Sequence, residues 1–547
     1  CSIVLLDKSG NTACVIDIPA EYSTGSLYSV RLHGFCGNEY AYYFRINGKR
    51  CIDPYATRIF GREKWNDKTR SDNDYEIACG IDSSDFDWKY DSFPEITRDR
   101  MKLYKLHVRG FSMDVSGNKK HKGTFEAVSD RINYIKKLGF TSILLMPVYE
   151  FEEMTIPVKH DIPEYAKPKY SLKDEQSVHT ENDKVNFWGY TSGNYFAVKA
   201  SYASDASGAS NELRRLVERL HKNGMECIVE MYFPDRTDHN LILDALRYWV
   251  MSFHVDGFKL LGDRLPVTAI VQDALLSRTK ILYDGFDMSV VPQNRTYENL
   301  YIDKEEYQFA ARMMLNHINC NMYELLNQQK KQGENVGFIN YISSNNGFTL
   351  SDLFMYNDRH NEANGEKNAD GPSWNFSNNY GCEGPSRKRF IREIRKLKWK
   401  DAMLLLFLAQ GVPMIMAGDE ICNSQDGNNN AYCQDNPTGW VNWSNEHSRR
   451  ENIRFLTRLI KFRDEHPVIS CPKPFKFSDY KAVGYPDLSY HCKNAWIGEC
   501  DATKLCVGVM YCGDYNEVNK DYVYVAYNFY SSREKLALPK LKKGMKW

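Results

Sequence analysis

Side chains able to do chemistry are plentiful in this chain, but few fall into a telling pattern. Fifteen cysteines run from Cys1 to Cys512 with no CxxC pair and no clustered histidines, which argues against a structural zinc site or a dense disulfide framework. Free thiols of a reducing compartment are the simpler expectation. His107, His239 and His254 are isolated and read as structural rather than metal-ligating. No Gly-rich phosphate loop or GxSxG elbow stands at a strand–helix junction. Asp370-Gly371 and the Asn-rich Asn375–Asn379 are turn formers first and sugar or calcium contacts second. Neither a metal nor a cofactor is expected. The aromatic supply is rich: 13% of the residues, with 36 Tyr and 10 Trp. Flat rings with polar edges suit sugar rings, although most of them are expected to pack the core.

The elements that must position such groups follow from length and periodicity. At roughly 150 residues per domain, 547 residues make three to four domains or one large α/β barrel with companions. Lys+Arg 71 balances Asp+Glu 71, leaving no basic excess for a nucleic acid or an acidic membrane. The longest apolar runs, Met403–Leu408 and Ile143–Met146, fall far short of the roughly 20 residues that span a bilayer. The expectation is therefore a soluble protein with no nucleic-acid or membrane partner. No charged n-region precedes an apolar h-region, so a cytoplasmic location is expected, on a chain whose natural start can lie upstream.

Short alternating runs, Ile3–Leu6, Cys14–Ile18, Ser29–Leu32 and Tyr40–Ile46, separated by turns such as Asn47-Gly48, predict an N-terminal β-sandwich over residues 1–95. Strands and helices then alternate over residues 96–465. Phe125–Leu138 reads as a helix before the strand Ser142–Met146. Ser210 and Asn211 can cap a helix before the strand Cys227–Tyr232, and Leu241–Phe253 precedes Gly257–Leu261. Lys280–Tyr283, Val336–Ile342 and Met403–Met416 continue the series. Recurring βα units predict a (β/α)8 TIM barrel, whose chemistry sits at the C-terminal ends of the strands. Ala482–Tyr490, Cys506–Cys512 and Tyr522–Asn528 predict a C-terminal antiparallel β-domain over 466–547, truncated at Trp547.

Several segments carry a resemblance. Tyr104–Arg109, Gly123-Thr124-Phe125 and Leu145–Phe151 look like the first strands of the α-amylase superfamily, glycoside hydrolase family 13. Trp188-Gly189-Tyr190, with Phe196 and Tyr202, resembles the next loop of its debranching branch of isoamylases, glycogen-debranching enzymes and pullulanases. Ala417-Gly418-Asp419-Glu420 followed by Gln425–Asn436 is the most specific match, and Asn357–Glu366 is similarly close. Ile52–Ala56 resembles the family 48 carbohydrate-binding module that precedes such barrels. The resemblance implies retaining hydrolysis of α-glucans, in which two carboxyl groups about 5 Å apart act as nucleophile and as acid/base.

Residue by residue, that machinery is altered. Where the family's third strand ends DVVYNH this chain has Glu230-Met231-Tyr232-Phe233-Pro234-Asp235, and where the fourth reads DGFRFD, ending in the nucleophile, it has Asp256–Leu261. The acid/base position falls on Asp284, one methylene short, and the final His-Asp pair on Asn345-Asn346. A misplacement of about 1 Å can cost on the order of a hundredfold, and loss of a nucleophile about 10⁴ to 10⁶. Asp263, two residues past Leu261, shares its side-chain parity if the strand stays extended through Gly262, and with Asp284 makes a relocated pair. Glu230 at the barrel mouth needs a cation, for which Lys259 on the adjacent strand is the candidate. The substrate-binding candidates are Tyr149, Trp188, Tyr190, Glu230, Lys259 and Asn345.

Three functions then compete. The first is a non-catalytic protein that binds α-glucan, as glycogen, starch or malto-oligosaccharide. The second is an active α-1,6-glucan hydrolase working through Asp263 and Asp284. The third is a scaffold subunit for an active debranching enzyme, as the resemblance implies from plant isoamylase assemblies.

Overall fold

In a computed structural model of the chain, residues 1–33, 37, 39–67, 77–115, 121–154, 184–286, 297–303, 305–498 and 503–547 are described. Eight parallel strands close into a barrel: Leu103–Leu106, Ser142–Leu145, Glu226–Tyr232, Gly257–Leu261, Lys280–Leu282, Leu300–Asp303, Gly337–Asn340 and Val412–Met416, with the last paired to the first. The sixth of these, Leu300–Asp303, is absent from the sequence expectation.

Because side chains alternate along a strand, every second residue enters the barrel. The interior is stacked in tiers. At the bottom Glu226 is paired with Lys280 and accepts from the Ser142 hydroxyl at 2.9 Å. Above it lies an apolar layer that includes Leu103, Leu144, Ile228, Leu282, Tyr301, Ile339 and Met414. The next inward residues up the strands are Lys105, Glu230, Lys259 and Asp303.

The flanking helices depart from expectation in instructive ways. The predicted Phe125–Leu138 helix is two helices, Phe125–Asp130 and Ile132–Leu138, broken at Arg131. The Arg131 guanidinium sits 4.2 Å from the Trp443 ring centroid and 2.9 Å from Glu446, so tertiary contacts outweigh helical continuity there. The helix assigned a cap at Ser210 and Asn211 starts earlier, at Ala209, directly after a 3-10 turn capped by Asp205. His239–Phe253 opens on Asp238, whose carboxylate accepts from the N–H groups of Asn240 and Leu241.

Antiparallel sheets flank the barrel. The N-terminal strands form one six-stranded sheet built on Ser2–Leu6, Thr12–Asp17, Ala41–Ile46, Lys49–Cys51, Arg58–Phe60 and Ala78–Gly80. In place of the expected strand Ser29–Leu32 there is a two-residue hairpin, Ser23–Thr24 with Leu27–Tyr28. Toward the C-terminus Leu488–His491, Cys506–Tyr511 and Val523–Asn528 make a three-stranded sheet. Every described cysteine is free. No described helix is long and apolar enough to cross a membrane.

The loop after the eighth strand is locked by buried acids. Glu420 is fully buried and accepts from the hydroxyls of Tyr104 at 2.9 Å and Tyr134 at 3.0 Å and from the Gly418 N–H at 3.0 Å. Burial pushes its carboxyl up to about 7, and those of Asp419 and Asp352 up to about 6. A carboxyl raised in the folded state favours folding fully only below its unfolded pKa, and that contribution is lost as pH rises through the folded one. Stability is thus expected to fall as pH rises from about 4, the ordinary carboxyl range, to about 7, where Glu420 ionises in the folded state. Glu420→Gln should flatten that slope by on the order of 2–3 kcal/mol, read as the pH dependence of the melting temperature.

Candidate functional site

At the C-terminal mouth of the barrel lies a cavity of about 590 Å³ whose lining includes Lys105, Lys259, Leu261, Asp263, Asp284, Asp303, Asn345 and Asn346. Its floor is a row of alternating charges contributed by four strands. The Lys105 ammonium of the first strand lies 2.6 Å from Glu230 of the third and 2.7 Å from the Asn345 side-chain oxygen. Glu230 also accepts from the Tyr190 hydroxyl at 2.5 Å and lies 3.7 Å from the Lys259 ammonium of the fourth strand. Lys259 is in turn 2.5 Å from Asp303 of the sixth. The strand register places Glu230 and Lys259 side by side, so their proximity follows directly from the sheet.

Burial and pairing pull these groups in opposite directions. Desolvation favours neutral forms, and it lowers Lys105 to about 8. Burial would raise Glu230, but Lys105 and Lys259 beside it hold its carboxyl below the ordinary value. Burial would likewise lower Lys259, and Asp303 and Glu230 instead hold it above the usual lysine range. The floor is therefore two ammonium groups neutralised by two carboxylates.

Leu261 ends the fourth strand just above this row. It packs against the apolar cluster of Met146, Phe187, Trp188, Tyr190, Ala431 and Tyr432. The strand does not stay extended beyond it. Gly262 has φ +132°, and a Cβ there would lie 2.0 Å from the Phe233 carbonyl oxygen, so only glycine fits. The parity argument for Asp263 therefore fails, yet the turn still leaves Asp263 exposed in the cavity lining, as Asp284 is from the following strand. Arg264 pairs with Asp235 at 3.2 Å and not with its neighbour Asp263.

The remaining candidates divide. Trp188 and Tyr190 border the cavity, but both are almost fully buried, and the Tyr190 hydroxyl is committed to Glu230. Tyr149, expected to offer a ring face at the cleft, is wholly buried outside the lining, its hydroxyl donating to the carbonyls of Thr191 and Gly189. Asn345 is held by Lys105, whereas Asn346 is exposed in the cavity. The sequence reading missed Lys105, which binds Glu230 more closely than Lys259 does, and Asp303. The short run Leu300-Tyr301-Ile302-Asp303, lying where an eighth strand was wanting, was the signal for the latter.

The loops that build the mouth are held by the specific segments of the sequence. Asp419 accepts from the Ser343 hydroxyl and from the N–H groups of Leu350 and Met416, which ties the loop carrying Asn345 and Asn346 to the eighth strand. Asn361 and Asn429 exchange two hydrogen bonds of 2.8 and 2.9 Å. Asp370 accepts from the Asn364 and Asn430 amides, and Asn428 and Gln434 both donate to Asn364. Asp370, expected first as a turn former, is thus a buried member of an amide network. His107 is structural, accepting from the Gly110 N–H and bonded to the Tyr202 hydroxyl at 2.9 Å. Among the described residues no group of three or more acidic, His or Cys side chains is placed to hold a metal ion.

Comparison with known proteins agrees with this geometry. A family profile described as "Alpha amylase, catalytic domain" matches residues 115–240. Isoamylase 1, chloroplastic, of Arabidopsis thaliana is 28% identical over 538 residues, covering 80% of this chain, and the glycogen debranching enzyme of Enterobacter sp. (strain 638) is 28% identical over 525 residues, covering 82%. Over most of its length the chain is thus similar to the debranching branch of the α-amylase superfamily. It spans 66% of the length of the Arabidopsis relative and 76% of the Enterobacter one. Apo pullulanase from Paenibacillus barengoltzii shares the fold with a TM-score of 0.69 at 16% identity, covering 99% of this chain and 86% of the pullulanase.

The charge row makes a sharp prediction. Lys105→Met leaves Glu230 short of its closest cation and should cost about 3–5 kcal/mol in chemical denaturation. Adding Glu230→Met to that variant should recover most of the loss, because Lys259 keeps Asp303. A single variant as stable as the parent protein would show that the row is solvated and energetically minor.

Proposed function

We propose that this chain is a debranching-type α-glucan-binding protein that does not hydrolyse its ligand. One observation carries the reading: the position that the superfamily resemblance assigns to the nucleophile is Leu261, packed in an apolar cluster above a floor whose two carboxylates are each paired with a lysine. Glu230 and Asp303 are acceptors already in use, and Asn346 carries no charge. Retaining hydrolysis needs one ionised nucleophile and one protonated acid facing each other across the sugar, and this floor offers neither. Hydroxyl-rich, ring-stacking ligands remain compatible with a lining of Trp188, Tyr232, Tyr283 and Tyr341.

A second reading, an active α-1,6-glucan hydrolase, is favoured by the exposure of both Asp263 and Asp284 in the same cavity. Incubation with pullulan, glycogen and branched maltodextrins separates the two. No reducing ends above background are expected, together with glucan binding in the millimolar to micromolar range. Turnover of about 1 to 10³ per second that is abolished in both Asp263→Asn and Asp284→Asn would establish the hydrolase instead. No binding at millimolar ligand would remove the glucan reading and leave the scaffold role.

Replacing the nucleophile alone should not revive hydrolysis. Leu261→Asp sets a carboxylate against Trp188 and Tyr190, opposite the short Asp284 and the neutral Asn346, and contributions within such a unit are far from additive. The variant should stay inactive on pullulan and lose on the order of a few kcal/mol of stability if the new charge stays unpaired. Pullulan hydrolysis by this single variant at an unchanged melting temperature would contradict the expectation.

A further inference from the structure

Trp496 has an unusual backbone conformation in the turn after the C-terminal sheet's first strand. It sits at φ +67°, a left-handed backbone that a bulky side chain rarely adopts, and its indole is 45% exposed. Such an outlier persists only where its surroundings over-determine it, and it is a reason to look for function. The surroundings here do so. The Trp496 N–H donates to His491 Nδ1 at 2.9 Å, while the other nitrogen of that fully buried ring bonds the Ser489 hydroxyl at 2.9 Å. Burial pushes His491 down to about 4, so the ring is neutral at physiological pH and free to accept at Nδ1. The turn is closed by the Cys492 N–H donating to the Ile497 carbonyl at 3.0 Å.

The indole is braced as well as displayed. It stacks on Tyr485 with ring centroids 5.3 Å apart and planes within 16°. Tyr485 is itself anchored, its hydroxyl donating to the Lys540 carbonyl at 2.8 Å. The result is a braced, flat apolar ring in water, and the exposed polar residues Lys493 and Asn494 lie two and three positions before it in the same turn. A plate that is already immobile loses little side-chain entropy when a ligand covers it. None of these residues lines the barrel-mouth cavity.

We infer that Trp496, braced by Tyr485, is a second α-glucan contact, outside the cavity lining, that takes the carbon–hydrogen face of a glucose unit while Lys493 and Asn494 meet its hydroxyls. This rests on the glucan-binding reading of the cavity and adds a specific ligand preference to it. Two weak sites on one molecule favour long, branched glucans over short oligosaccharides, because the second contact forms at high effective concentration.

Affinity electrophoresis in glycogen tests the inference on the full chain, using the wild type, Trp496→Ala, Trp496→Phe and, for the cavity, Asp284→Arg. Melting temperatures identify any variant that fails to fold. Trp496→Ala is expected to weaken glycogen binding about fivefold to twentyfold, the loss of one stacked ring and its avidity. Trp496→Phe should keep most of the binding, and Trp496→Ala combined with Asp284→Arg should bind more weakly than either alone. If Trp496→Ala binds glycogen like the wild type while Asp284→Arg does not, the second contact is refuted and the cavity reading stands. If the wild type itself is not retarded, both fall. If Trp496→Ala leaves retardation unchanged but alters the sedimentation of the protein, the plate is a contact between copies and the inference is overturned.

Discussion

A charge taken out of water must be matched by another, and at the top of this barrel four are matched at once. Lys105, Glu230, Lys259 and Asp303 come from the first, third, fourth and sixth strands and alternate in sign across the interior. Each ion would be costly to bury alone, so each makes its neighbour necessary. The row ties strands that are not adjacent in the sheet. It also shapes the cavity above, because the four floor groups are paired with one another while Asp263 and Asp284 stay exposed in the lining. The same geometry explains Leu261: with the carboxylates below it already neutralised, an apolar side chain meeting Trp188 and Tyr190 is the stable occupant of that strand end.

The scaffold around the mouth obeys a different constraint. Buried amides and carboxylates cost free energy unless every donor and acceptor is used, so an interior built of Asn361, Asn364, Asn428, Asn429, Asn430 and Asp370 tolerates little variation. Its role is positional. The network fixes the segment around Ala431 and Tyr432, whose carbonyl accepts from the N–H groups of Phe187 and Trp188 and so sets one wall of the cavity. Asp419 does the same for the loop that carries Asn345 and Asn346. These segments serve the shape of the mouth, whatever groups line it.

The barrel was legible wherever burial produced an apolar run. Gly257–Leu261 was read to its exact bounds because Asp256 and Gly262 punctuate it, and the third strand was missed only at Glu226, an acid made tolerable by Lys280. The sixth strand escaped because four residues carrying an inward Tyr301 and Asp303 show no periodicity that stands apart from a loop. Pairing across the barrel was harder still. Neighbouring strands can be matched by position, which is how Lys259 was set beside Glu230. The closer partner, Lys105, lies two strands away, and only barrel closure brings it within 2.6 Å. The burial of Tyr149 behind Gly189 and Thr191 was equally invisible, since an aromatic at a cleft edge and one beneath it have the same sequence.

A neutral floor also bears on the strength and kind of recognition. Charged groups that are paired with one another are less available to a ligand. What remains at the mouth are ring faces, hydroxyls and the exposed Asp263 and Asp284, each contributing about 1 kcal/mol or less to a flexible, strongly hydrated ligand. On the proposed glucan-binding reading, a cavity of this kind discriminates poorly between one glucose unit and the next. On that reading selectivity comes from how many units are contacted together, so the spacing of weak contacts over the surface matters more than the chemistry of any single subsite.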